Sequence, residues 1–282
     1  MSDALARTYG VELIGRDRFT LDKASLLRAL RRWCPGVEPL DHDEQAGVLA
    51  FVHQDHPIQL ADARIAAQTF VAASDCTFSP AEVSGALEQT WDFDQAKGVL
   101  AGCTSSVLVT DLMSSSLGYR ERIDVFQCAL RGVLEVVSCA AIHWRPSQRI
   151  VAPAAWLELF DAGDAAHVFT AGAVNVRLFN VQGPGRAAGE IVMDTLGLGA
   201  LGLPDLQCHF TQLNPTAVAR VLFNTAWYIF ERGDVIADGN TAQGITTDSR
   251  WPCHHEDALV GPARVVLDMN PGPPHAAGNR AG

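Results

Sequence analysis

Hydrophobic residues recur every three or four positions in several stretches, which is the spacing of one face of an α-helix. The clearest stretch runs from Ile123 to Val137, and a shorter one runs from Leu26 to Trp33. A third, strongly apolar helix is predicted after Asn214-Pro215 and ends at Gly233, because Asn and Pro favour the first positions of a helix and Gly favours its end. Ser79-Pro80-Ala81-Glu82 has the capping-box pattern that begins another helix.

Other stretches alternate between apolar and polar residues or are short and β-branched, as expected for strands. Val174 to Leu178 and Glu190 to Asp194 are predicted to be two such strands. Val48 to Val52 predicts a strand, Asp55-His56-Pro57 a turn after it, and Ile58 to Val71 a second extended stretch. Further strands are predicted at Val107 to Val109, Cys139 to Trp144 and Val265 to Leu267.

The order of these elements is βαββαβ up to about residue 112, then a linking helix, then βαββαβ again. The fold class is therefore α+β. Two tandem ferredoxin-like units of the split βαβ type, joined by a helix, account for the order, and a single α+β domain is the alternative. We divide the chain into an N-terminal unit (residues 8–112), a C-terminal unit (113–270) and a flexible tail (271–282) that is rich in Pro, Gly and Ala.

The segment from Asp234 to Pro262 shows little periodicity and is predicted to be a long loop. It contains Cys253-His254-His255-Glu256-Asp257, the densest cluster of ligand-type side chains in the chain. Long loops of this kind are often functional. Candidate catalytic residues are therefore Cys253, His254, His255 and Glu256.

The leading interpretation of this cluster is a hydrogen-bonded structural anchor without a metal, and two kinds of chemistry are the alternatives. A zinc site would use His254 and His255, with His209 or Cys208 as ligands from another strand and His53-Gln54-Asp55-His56 as a further source of donors. A thiol mechanism would use Cys253 as nucleophile and either histidine as base, although neighbouring acidic residues disfavour a thiolate.

Charge limits the classes of partner. The chain has 21 Lys and Arg against 32 Asp and Glu, a net charge of −11, which argues against nucleic acids and anionic membranes as partners. The first residues carry no apolar signal segment, and the seven cysteines show neither paired spacing nor a CxxC motif. We expect a cytoplasmic protein.

The segment Gly197-Leu198-Gly199-Ala200-Leu201-Gly202 matches the dinucleotide-binding pattern GxGxxG. In a dinucleotide-binding fold a helix begins at this motif, but Pro204 follows immediately and a new extended segment begins at Leu206. The segment is therefore predicted to be an apolar turn or a short helical turn. We expect no cofactor, with zinc at the Cys253–Asp257 cluster as the alternative.

Together, three stretches resemble a bacterial family of domains of unknown function. They are Val176 to Phe179, the run from Asp194 to Leu206 with its GLxALGLPxL motif, and the helix after Asn214 with the following Asp238-Gly239-Asn240-Thr241 segment. The resemblance covers about residues 170 to 270. It implies a cytoplasmic bacterial protein of mixed α+β fold and provides no catalytic residues.

The leading functional hypothesis is a non-enzymatic binding or interaction module, such as an adaptor, accessory or immunity-type factor, that binds another protein or a second copy of itself. The alternative is a metal- or thiol-dependent hydrolase that uses the segment around Cys253 to Asp257.

Overall fold

The computed structural model of the chain describes residues 8–40, 47–59, 63–183 and 189–278, and its strands form two sheets. The chain divides into two units, Met1–Val168 and Phe169–Gly282. Helices and strands occur in both units, which confirms the α+β class. Among the described residues, no helix has both the length and the apolar character needed to cross a membrane.

The first unit is built on a seven-stranded antiparallel sheet of order β2-β3-β4-β5-β1-β6-β7. Its strands are β1 (Gly10–Gly15), β2 (Val37–Pro39), β3 (Val48–Gln59), β4 (Arg64–Ala73), β5 (Ser105–Leu112), β6 (Ala141–Trp144) and β7 (Arg149–Val151). Its helices are α1 (Lys23–Trp33), α2 (Ser84–Glu88), α3 (Ala96–Leu100), α4 (Tyr119–Leu134) and α5 (Pro153–Asp161), while α6 (Ala165–Gly172) spans the division. The inner order β4-β5-β1-β6, with α1 and α4 as the connecting helices, is compatible with the predicted ferredoxin-like unit.

Apolar residues of α4 form much of the core of the first unit. Phe126 packs edge-on against Tyr9 and Trp144, with ring centroids 5.1 and 5.9 Å away. A charged residue is expected on the polar side of an amphipathic helix, yet Arg122 is buried as well. It pairs with Asp111 of β5, whose Oδ2 accepts from Arg122 Nε at 2.6 Å. A charged residue is therefore part of this core.

Strand β3 differs from the sequence prediction. It continues through Asp55-His56-Pro57, where a turn was predicted, and its pairing with β4 shifts register between His53 and Pro57. A register shift of this kind is a β-bulge, in which extra residues re-aim the side chains without ending the strand. Turn-type residues therefore mark a bulge here.

The second unit contains a six-stranded mixed sheet of order β11-β12-β13-β10-β9-β8. Its strands are β8 (Asn175–Asn180), β9 (Ile191–Leu196), β10 (Asp205–Phe210), β11 (Thr241–Gln243), β12 (Arg250–Asp257) and β13 (Val265–Met269), and its long helix is α7 (Pro215–Arg232). Strands β10 and β13 are parallel neighbours, whereas the other pairs are antiparallel. A parallel pair needs a crossover, and α7 lies on the connection between the two strands.

Helix α7 has the ends that the sequence predicts. The Asn214 side chain accepts from the backbone N–H of Thr216 at 2.9 Å, and Gly233 ends the helix with a φ of 85°. Its buried side packs on the sheet, and Phe230 stacks on Phe169 with ring centroids 4.0 Å apart. The GxGxxG segment forms a four-residue 3₁₀ turn, Leu198–Leu201, which confirms the prediction of a short turn.

The division between the units lies later in the chain than the predicted boundary at 112/113. Strand β6 follows that boundary, yet it belongs to the first sheet, where it lies between β1 and β7. Residues 271–278, assigned to a flexible tail, are hydrogen-bonded to the end of β10: Thr211 N–H donates to the carbonyl of His275 at 2.8 Å. Residues 279–282 lie outside the described residues.

Candidate functional site

The cluster from Cys253 to Asp257 lies on a strand, so the prediction of a continuous loop from Asp234 to Pro262 is wrong. This segment contains β11 and β12, and β12 pairs with β11 on one side and β13 on the other. Successive side chains of a strand point to opposite faces of the sheet. His254 and Glu256 therefore share one face, while Cys253 and His255 belong to the other.

His254, Glu256 and Asp268 form the candidate metal site. Asp268 lies directly opposite His254 on β13, which places both residues on the same face of the sheet. Nε2 of His254 lies 3.0 Å from Oε2 of Glu256, and one possible ligand atom from each of the three residues lies within 4.8 Å of the others. Bonds of 2.0–2.2 Å to a tetrahedral zinc ion separate its ligands by about 3.4 Å, so small side-chain rotations would bring these atoms together.

Gln207 of β10 holds Glu256 in place from the far side of β13, which lies between β10 and β12. Its Nε2 donates to Glu256 Oε1 at 2.8 Å, and its Oε1 accepts from the backbone N–H of Leu259 at 2.8 Å. Gln207 and Asp268 are fully buried, whereas His254 and Glu256 are partly exposed. The three candidate ligands therefore combine a buried carboxylate with two side chains that solvent reaches.

Two of the sequence candidates lie outside this group. Nδ1 of His255 is 2.8 Å from Oδ1 of Asp238, which also accepts the backbone N–H of His255. These two hydrogen bonds, that of the backbone first, lower the pKa of Asp238. Nε2 of His209 is 3.2 Å from Oε2 of Glu190, and both side chains are buried. Neither histidine belongs to the cluster around His254.

Cys253 has the surroundings of a structural thiol. It is buried, its Sγ donates to the carbonyl of Trp251 at 3.4 Å, and it lies on the opposite face from His254. Burial raises the pKa of the Cys253 thiol, which disfavours the thiolate that a nucleophile requires. The geometry gives no support to the thiol mechanism.

A second polar group on this sheet was not found by sequence reasoning. Arg177 donates to both carboxylate oxygens of Asp194, through Nε and Nη2. Arg264 joins Asp194 to Asp205: its Nη2 donates to Asp194 at 2.7 Å and its Nε to Asp205 at 3.1 Å. Arg177 also donates to the carbonyl of Gly261 at 2.9 Å, which fastens the β12–β13 connection. Burial, only partly opposed by Arg264, raises the pKa of Asp205 to about 6.

Asp268 is the functional candidate that the sequence analysis missed. The predicted strand ended at Leu267, one residue before it, although an acidic residue between Leu267 and Met269 is unusual in a buried strand. An acidic residue inside an apolar strand was the available signal.

A groove of about 420 Å³ lies between α7 and the edge strand β11. The described residues that line it are uncharged and include Tyr228, Val235 and Thr241. Tyr228 and Val235 are among the exposed large side chains of the unit. The groove therefore combines apolar surface with an edge strand.

Comparison with protein families gives one match, to a domain of unknown function, DUF4261, over residues 194–270. No curated protein and no solved structure gives a significant match. The matched segment contains His254, Glu256 and Asp268, and also Asp205 and Gln207. The match confirms the resemblance to an uncharacterised family that the motifs in this part of the sequence indicate. The chain therefore contains, within its second unit, a domain of the DUF4261 type.

Proposed function

We propose that the second unit is a binding module for a divalent transition-metal ion of the zinc type. This proposal rests on one observation: His254, Glu256 and Asp268 converge on one face of the β12–β13 pair. Imidazole and carboxylate groups are ordinary zinc ligands, and three protein ligands with a water molecule complete a tetrahedral site. Gln207 supports the site because it fixes the carboxylate of Glu256.

The test is a titration of the chelator-treated full-length protein with zinc chloride in a calorimeter, followed by a thermal unfolding scan with and without the metal. We expect one zinc ion per chain at this site and a higher unfolding temperature with zinc, because a ligand that binds only the folded state stabilises it by mass action. At a zinc concentration 100 times the Kd, the stabilisation is about 2.7 kcal/mol.

His254→Ala and His255→Ala form a matched pair for this test, since the two residues are adjacent on β12 but belong to opposite faces. His254→Ala is expected to abolish zinc binding, whereas His255→Ala, which removes the Asp238 contact, keeps it. Unchanged affinity in His254→Ala, or equal loss in both variants, would refute the site.

A metal-dependent hydrolase is the second candidate, and a specific observation favours it. Among the described residues three ligands converge, and two of them are partly exposed, so a metal-bound water would be accessible to a substrate. The zinc-loaded protein would then cleave members of an ester and phosphoester panel, and His254→Ala would lose this activity. If the protein binds zinc but cleaves none of these substrates, the result supports a non-enzymatic binding module.

For the protein partner we propose an extended, uncharged peptide segment that adds to β11. An edge strand has free positions for backbone hydrogen bonds, and the neutral groove beside it accepts side chains. Gln243→Pro removes a backbone N–H donor of β11 that faces away from β12 and is expected to abolish peptide capture in a display screen, with Thr247→Pro as a control outside the strand. Equal capture by both variants would contradict the proposal.

A further inference from the structure

A groove of about 340 Å³ in the first unit lies between α4, the end of α1 and strand β3. It contains most of the polar residues of the segment His53-Gln54-Asp55-His56, which the sequence analysis considered only as a source of additional metal ligands. The β3 bulge brings His53, Asp55 and His56 to the same groove. The volume is within the range of small-molecule sites.

His53 is the buried polar residue of this groove. Its Nε2 lies 2.8 Å from Oγ1 of Thr69, while its Nδ1 has no hydrogen-bond partner among the described residues. Burial first, and then neighbouring His56, lowers the pKa of His53 to about 4, so the ring is neutral near pH 7. When Nε2–H donates to Thr69, Nδ1 presents a lone pair.

The other polar groups of the groove are mainly carboxylates. Asp55, Glu121 and Asp124 line it, and the described lining residues include no Lys or Arg. His56 fixes Glu121, with Nδ1 2.8 Å from Oε1. Burial raises the pKa of Asp124 against the opposing charge of Arg120. The carboxylates therefore favour a positively charged ligand.

Apolar side chains supply the remaining walls, among them Val37 and Val125. Trp33 also lines the groove, but the guanidinium of Arg131 already lies over its ring, 4.5 Å from the centroid. An apolar portion of a ligand would therefore contact the valines.

We propose that this groove binds a small organic cation, a primary ammonium or guanidinium group on a short aliphatic chain. The cationic group would pair with Glu121 and Asp124 and donate a hydrogen bond to Nδ1 of His53, and the aliphatic chain would contact Val37 and Val125. A metal ion fits the groove less well, because its His, Cys, Asp and Glu side chains do not form a convergent set of three ligand atoms in the described part of the chain.

The experiment measures binding of n-butylammonium and n-butylguanidinium to the full-length protein by calorimetry, with butyrate and butanol as probes of equal chain length. Both cations are expected to bind, and butyrate and butanol are not. The double variant Glu121→Gln/Asp124→Asn is expected to weaken cation binding at least tenfold. Both residues keep a large exposed surface and neither belongs to the apolar core, so the double variant is expected to fold, which its thermal unfolding curve checks.

Asp17→Asn is the matched control, because it removes one exposed negative charge of the same unit outside the groove. Unchanged affinity in this variant would support a local site. His53→Phe keeps an aromatic ring at this position but removes both ring nitrogens, and weaker binding in this variant, with an unchanged unfolding temperature, would support the role of Nδ1. Equal binding of butyrate and butylammonium, unchanged affinity in the double variant, or no binding at millimolar concentrations would overturn the proposal.

Discussion

Arg122 shows, at the scale of single residues, how a helix pattern can mislead. Its position on α4 is buried because β5 provides a carboxylate that forms two hydrogen bonds with the guanidinium group. Asp111 also accepts the backbone N–H of Tyr9 at 2.6 Å. The pair therefore joins a helix, a strand and the start of β1.

Asp111→Asn is predicted to lower the free energy of unfolding by about 3–5 kcal/mol, because it leaves the buried Arg122 charge without its counter-ion. Urea unfolding of the wild type and the variant measures the difference. Arg120→Gln, at an exposed position of the same helix, is the control and should change stability by less than about 0.5 kcal/mol. A loss of similar size in both variants would disprove the special role of the buried pair.

His53 leads to a prediction about pH. Its folded-state pKa of about 4 lies below the ordinary value of 6.5, so between these values the unfolded chain binds more protons than the folded one. Its contribution to stability is therefore present above about pH 6.5 and is lost as the pH falls towards 4. Urea unfolding across this range should show a smaller loss of stability on acidification in His53→Gln than in the wild type. His167→Gln, at an exposed histidine, should keep the wild-type slope.

The candidate metal site was partly predictable from single residues. His254 and Glu256 were candidates because of their residue types, whereas His255 and His209 were candidates for the same reason and have other partners. Residue type does not show which face of a strand a side chain occupies. Asp268 was missed because its role depends on its pairing with His254 across two strands.

At the scale of elements, the close approach of α1 and α4 depends on a glycine. A Cβ atom at Gly132 would lie 3.0 Å from Cα of Leu30, which is backbone and cannot rotate away. Gly98 in α3 has open space around the same position. The two helical glycines therefore offer a direct comparison.

Gly132→Ala is predicted to destabilise the protein by about 1–3 kcal/mol through overpacking of the two helices. Gly98→Ala should instead stabilise it by about 0.4–1 kcal/mol, because alanine restricts the unfolded chain at no steric cost. Thermal unfolding of both variants shows whether each substitution raises or lowers the stability of the protein. A stabilising Gly132→Ala would show that α1 and α4 can separate at no cost.

Helices and helix ends were predicted well because their signals are local. The capping box at Ser79 and the Asn214 cap are both present in the structure. Strand β12 was missed since Pro252 and the ligand-type residues hide the alternation of buried Trp251 and Cys253 with more exposed neighbours. Proline is tolerated there because Pro252 lies just beyond the β12–β13 pairing, which ends at Cys253 and Met269: its carbonyl accepts the backbone N–H of Asn270 at 2.9 Å, and its missing N–H removes no hydrogen bond from within that pair.

At the scale of the whole molecule, the net charge of −11 leads to a prediction about salt. Repulsion among excess negative charges destabilises a folded chain, and salt screens charges at the surface much more than buried pairs. The free energy of unfolding should therefore rise as ionic strength increases from about 0.01 to about 0.15 M, over which the Debye length falls from about 30 to about 8 Å. A decrease, measured by urea unfolding at the two salt concentrations, would mean that surface ion pairs outweigh the repulsion.

The division into units was the least predictable feature at this scale. The sequence pattern repeats βαββαβ, but β6 joins the first sheet beside β1, far from it in sequence. Pairing between distant strands leaves no local signal. The class of fold could therefore be predicted, whereas the place of division could not.

The β12–β13 pair has a consequence for the order of folding. His254, Glu256 and Asp268 all belong to this hairpin, whereas the parallel neighbour β10 reaches β13 only after α7 has crossed the sheet. Hairpins form within about 1–10 μs, and contacts between distant segments form more slowly because closing the longer loop costs more entropy. A metal ion bound by these residues would therefore find its ligands together early in folding. It would stabilise the β12–β13 hairpin before the other strands of the sheet pair with it.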